Sequence, residues 1–148
     1  MIPPGLLHVV AAAVALGAGA ALFAGRKGTM RHRRLGFLYL GAMAYVNLAA
    51  WSVDTRGAVG PFHLLTVLSV TTLVGAYAIL LTGRRSRGRS EAHGTMMAWS
   101  YAGVLAAGLG QGAAATSLSV GVIIGGTLLA AGLLIHVARP RVLTMSSS

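Results

Sequence analysis

No cysteine occurs in this 148-residue chain, which excludes disulfides, thiolate metal sites, iron–sulfur clusters and thiol redox chemistry. Acidic side chains are almost as scarce, since Asp54 and Glu91 are the only two. Neither lies inside an apolar run, so the intramembrane carboxylate usual in a proton-coupled transporter is missing. A Ser–His–Asp arrangement has no support, because no Ser sits in a nucleophile motif. Phosphate loops and dinucleotide fingerprints are absent too; Gly19–Gly25 follows no strand. Nothing in the sequence assigns an enzymatic reaction.

Charge is sparse as well, at 9% of residues against about 25% in an ordinary soluble domain. What fills the chain is apolar length. The runs free of Lys, Arg, Asp and Glu are Met1–Gly25, Leu35–Val53, Gly57–Gly83 and Ala92–Ala138. A bilayer core about 30 Å thick takes roughly 20 helical residues at 1.5 Å each. The first three runs therefore hold one span each. The fourth is too long for one crossing and turns at its most polar patch, Ala115–Ser119. The expected fold is an all-α integral membrane domain over 1–148. Its five transmembrane helices fall at about 6–25, 34–53, 62–82, 95–114 and 119–138.

All but one of the 12 Lys and Arg residues then fall on one side of the membrane, in Arg26–Arg34, Arg84–Arg89 and Arg139–Arg141; Arg56 is the exception. This positive-inside pattern puts the N-terminus outside and the C-terminus inside a multi-pass cell-membrane protein. The net charge of +10 is accounted for by topology and by contacts with anionic lipid headgroups, not by nucleic acid. Met1–Ala24 lacks a basic leader and its apolar run is longer than that of a signal peptide, so it reads as a retained first span.

Small residues nominate helix contacts: Gly17 and Gly19, Gly36 with Gly41, Gly103 with Gly108 and Gly112, and Gly121 with Gly125. Asn47 and Gln111 are polar mid-span and are expected to face other helices as structural hydrogen-bonding groups. Trp51, Trp99, Tyr39 and Tyr101 suit the interfacial belt. Pro61 suits the first position of the third helix, where a missing N–H costs nothing.

The chain also repeats. His8, an apolar stretch, Gly25-Arg26, a basic loop and His32 recur as His63, an apolar stretch, Gly83-Arg84, a basic loop and His93. Two hairpins of the same polarity, about 6–53 and 62–114, would form a four-helix bundle with the fifth helix as an addition. His8 and His63 share the outer depth, and His32 and His93 the inner one. Two imidazoles facing each other across a bundle are suited to ligate haem iron axially. Arg31, Arg33 and Arg34 are placed to neutralise haem propionates at the inner layer. The cofactor expected on this reading is haem b, with a quinone or another redox partner. A second reading completes a two-His, one-carboxylate site for a divalent metal, with Asp54 at the outer layer and Glu91 at the inner. A third is structural: histidines tolerated at span ends, in an accessory subunit of a larger membrane complex or a homo-oligomer. His136 has no counterpart in the repeat and reads as interfacial.

Two stretches carry a resemblance, Arg31-His32-Arg33-Arg34-Leu35-Gly36-Phe37-Leu38-Tyr39 and Ala92-His93-Gly94-Thr95-Met96-Met97-Ala98-Trp99-Ser100-Tyr101-Ala102. They resemble the His-Arg-x-x-Gly and His-x-x-x-Met-x-x-Ser-Tyr-Ala stretches of a prokaryotic family of small membrane proteins of unknown function. The resemblance covers roughly Leu7 to Gly112 and implies a multi-span helical fold with recurrent histidines. The histidine layout is also similar to that of two-haem cytochromes b of the ascorbate-reducible type, where four helices supply two cross-bundle His pairs. Here the inner histidines adjoin arginines, a shallower placement than in that group.

Overall fold

Helix starts are set by short-range chemistry at proline, threonine and serine. The computed structural model describes residues 3–53, 60–82, 86–116 and 118–144. These form α1 (Pro4–Ala24), α2 (Met30–Val53), α3 (Pro61–Leu81), α4 (Arg87–Ala114) and α5 (Val120–Thr144), with no strand among the described residues. Proline opens α1 and α3, where its fixed φ is already helical and its absent N–H would have had no partner. Before α2, Gly28 takes φ +77° to turn the chain, and Thr29 Oγ1 accepts the His32 N–H at 3.1 Å as an N-cap. Ser86 does the same for α4, accepting the Arg89 N–H at 3.3 Å.

The helix count, order and the turn after Ala114 agree with the sequence reading, but two starts do not. α2 begins at Met30, not near 34, and α4 at Arg87, not near 95. Apolar runs report membrane thickness, whereas a helix continues through its arginines once a cap is available. On α4 the first turns are further held by Arg87 Nε donating to Glu91 Oε1 at 3.1 Å, an i,i+4 pair.

Among the described residues, three stretches are long and apolar enough to cross a membrane: Gly5–Ala24, Phe62–Leu81 and Val120–Ala138. Large apolar side chains stand open along them, including Val9, Val70, Leu129, Leu133 and Leu134. Only 6% of the α5 window is buried. Such a helix face is a liability in water and an ordinary solvent contact in lipid.

The chain divides into two compact units, Met1–Thr71 and Thr72–Ser148, with the division inside α3. In the first, α1 packs along α2. Ala15 and Ala18 of α1 are buried, as are Tyr39, Met43 and Asn47, which recur every four residues on one face of α2. Asn47 Nδ2 donates to Ser69 Oγ of α3 at 3.1 Å, so the polar mid-span residue is satisfied by a neighbouring helix.

In the second unit α4 packs along α5. Ser100, Gly103, Ala106, Gly110 and Ala113 are buried and form a stripe of small residues. Ile124 of α5 is buried in this unit. Close approach to a facing side chain is found at two glycines that were not nominated. A Cβ on Gly75 would meet Met96 Sδ at 2.9 Å, and one on Gly132 would meet the Trp99 ring at 3.2 Å. At Gly17, Gly36, Gly41, Gly103, Gly108, Gly112, Gly121 and Gly125 a Cβ would meet nothing within 4 Å. Tyr39 is buried where a belt position was expected, and Gln111 is exposed where a helix contact was expected.

Candidate histidine sites

A histidine becomes a ligand only if the correct ring nitrogen keeps its lone pair, so each site is read from its hydrogen bonds. His93 lies in the second turn of α4 and is half-buried. Its Nδ1 is 3.0 Å from the Ala76 carbonyl oxygen of α3. A carbonyl only accepts, so Nδ1 carries the proton and a neutral ring leaves the lone pair on Nε2. This is the outer hydrogen bond that orients histidine ligands and raises their basicity. One turn further along the same helix, Met96 lies against Gly75, and one turn beyond that Trp99 lies against Gly132.

His63 is arranged the other way round. Its Nδ1 accepts the Gly60 backbone N–H at 3.2 Å. Gly60 precedes the first residue of α3 and His63 is the third, so the imidazole fills the place of the Glu or Gln in a capping box. In the neutral ring Nε2 then carries the proton, and ligation through Nε2 requires the Gly60 bond to be released. His8, half-buried on α1, has a buried Nδ1 with no hydrogen-bond partner among the described residues.

His32 is the third residue of α2 and half-buried. It lines a cavity of about 260 Å³ at the α1–α2 corner, together with Arg26, Thr29, Arg31 and the apolar Ala21, Leu22 and Leu35. Arg33 and Arg34 are exposed and do not line it. Lys27 is committed elsewhere: its Nζ donates to the Leu22 and Phe23 carbonyls at the end of α1, and stands 5.7 Å from the Phe23 ring centroid. A cation there satisfies carbonyls left open by the helix end.

The expected carboxylate partners do not join these histidines among the described residues. Glu91 pairs with Arg87, and no group of three metal-ligating side chains comes together. Asp54 lies outside the described residues, as does the Gly83-Arg84 element of the repeat. His136 is exposed on α5. His32 belongs to the first unit and His93 to the second.

Two roles were hidden in the sequence. The Ala76 carbonyl that sets the His93 tautomer is a backbone atom, so no side-chain pattern could flag it. The capping role of His63 had a signal in its position two residues after Pro61, the first residue of α3.

A family model described as "Predicted membrane protein (DUF2306)" matches residues 5–137. No curated protein and no solved structure matches the chain.

Proposed function

The chain belongs to this family of membrane proteins of unknown function, and we propose that it is a five-span, haem b-binding electron-transfer protein. The matched stretch runs from the first turn of α1 well into α5. At 24 and 28 residues, α2 and α4 extend about 36 and 42 Å at 1.5 Å per residue, enough to cross a core of about 30 Å. Five crossings keep the basic segments together inside, whereas crossing by α1, α3 and α5 alone would put Arg84–Arg89 outside. That asymmetry supports an N-terminus outside and a C-terminus inside the cell membrane.

The observation that carries the haem reading is the His93–Ala76 hydrogen bond, which engages Nδ1 of a half-buried imidazole and leaves Nε2 as the nitrogen for a ligand. His8 adds a buried ring nitrogen without a hydrogen-bond partner among the described residues. His63 fits as a ligand only after releasing Gly60. The cavity beside His32, at about 260 Å³, is below the roughly 300–1,000 Å³ of pockets for drug-sized ligands, so it does not fit a macrocycle. Haem, when bound, supplies a one-electron couple. The chain's own part is to orient the imidazole through the Ala76 carbonyl.

The test is optical. Full-length protein purified from haem-replete membranes should show a Soret band and a reduced-minus-oxidised difference spectrum of b type. A protein that is colourless and takes up no added haem ends the reading.

A further inference from the structure

We infer that the α1–α2 corner is a binding site for a phosphate group, independent of histidine ligation elsewhere. The cavity there is lined by Arg26, Arg31 and His32 together with Gly25, Thr29 and the apolar Ala21, Leu22 and Leu35. Neither arginine makes an ion pair among the described residues, and residues 1–53 contain no Asp or Glu. The positive charge of this corner therefore has no counter-anion in the chain segment that builds it.

The local fields add to the demand. The first five residues of α2 include Arg31, Arg33 and Arg34 and no acidic residue, so cations crowd the end of a helix whose dipole is already positive there. Like charges so placed are unfavourable unless an anion joins them. Other donors nearby are already used: Lys27 serves the α1 carbonyls, and Thr29 Oγ1 is bonded to the His32 N–H and the Arg26 carbonyl. That leaves the two guanidinium forks, whose geometry matches phosphate oxygens bidentately. A cavity of about 260 Å³ admits a phosphate ester, and its apolar lining residues suit a group that carries hydrocarbon. The corner follows directly on the apolar stretch Gly5–Ala24, which sets it at the level of lipid headgroups. The shared chemistry is a phosphate oxyanion, borne by an anionic phospholipid or by free phosphate.

The experiment is native mass spectrometry of the full chain released from mixed phosphatidic acid and phosphatidylcholine nanodiscs. The expected result is one phosphatidic acid retained through delipidation that strips phosphatidylcholine. Arg26→Gln with Arg31→Gln should weaken that retention by at least about tenfold, as expected for loss of charge-assisted bonds. Arg33→Gln with Arg34→Gln removes the same charge from the same helix outside the cavity, and should change retention by less than about twofold. Equal losses in the two pairs would mean diffuse surface charge and overturn the site. Added inorganic phosphate separates the sources: displacement of the lipid assigns the phosphate group alone, and retention of the lipid assigns the phospholipid. Binding of neither probe to the wild-type chain overturns the inference.

Discussion

His93 Nδ1 and the Ala76 carbonyl oxygen stand 3.0 Å apart, joining α4 to α3 through a bond in which only the imidazole can donate. The consequence is a defined tautomer, with Nε2 as the nitrogen left for a ligand. His63, held by the Gly60 N–H, has the opposite tautomer. Chemically identical side chains on α3 and α4, at the two ends of the second hairpin, are thus unequal as candidate ligands.

That inequality separates cap from ligand at His63. His63→Gln keeps an acceptor at the third helical position, whereas His63→Ala removes it. The alanine variant should lose about 1 kcal/mol of stability and the glutamine variant much less. If haem absorbance survives both, His63 serves α3 alone. Loss of absorbance in the glutamine variant at unchanged stability would identify a ligand.

The absence of cysteine makes topology directly measurable. In cells, Thr55→Cys should react with an impermeant thiol reagent from outside and Ser86→Cys should not, because five crossings put them on opposite faces. Crossing by α1, α3 and α5 alone, with the same N-terminal side, gives the reverse pattern. The labelling therefore decides the span count.

The Asn47–Ser69 bond is expected to hold α2 to α3 modestly. Partners inside membranes average about 0.6 kcal/mol of coupling, with a maximum near 1.7 kcal/mol. A double-mutant cycle with Asn47→Ala and Ser69→Ala, read by detergent-induced unfolding, should return a positive coupling in that range. Additive losses would show that the 3.1 Å contact contributes nothing to stability.

Glycine contacts give a graded series. Gly132→Leu drives a side chain into the Trp99 indole and should cost about 1–3 kcal/mol, as overpacking does. Gly75→Ala should cost less, because its neighbour is the far end of the flexible Met96 side chain. Gly121→Ala, with nothing within 4 Å, should be neutral or slightly stabilising. Unfolding of the three variants in parallel checks the order.

Much of the architecture was legible because its causes are local. Apolar length and the polar patch at Ala115–Ser119 fixed helix number and order, and proline marked the start of α3. Asn47 was readable as a group needing a partner. The early starts of α2 and α4 were not, because Thr29 and Ser86 cap helices inside basic segments that hydropathy treats as loops. Nor were Gly75 and Gly132, since a glycine matters only where a facing Met or Trp happens to be packed. Tyr39 reads as a belt residue and Gln111 as a mid-span helix contact, yet packing buries the first and exposes the second. At the sites, histidine spacing nominated the residues, but backbone atoms of Gly60 and Ala76 determine which nitrogen each presents.

The most direct measurement is haem bound per mole of full-length protein, titrated optically for the wild type and for His93→Ala. The expected result is saturable Soret absorbance in the wild type and loss of at least one haem equivalent in the variant, with membrane insertion unchanged because the span's apolar length is untouched. Identical titrations for the two proteins, or no uptake by the wild type, would contradict ligation by His93.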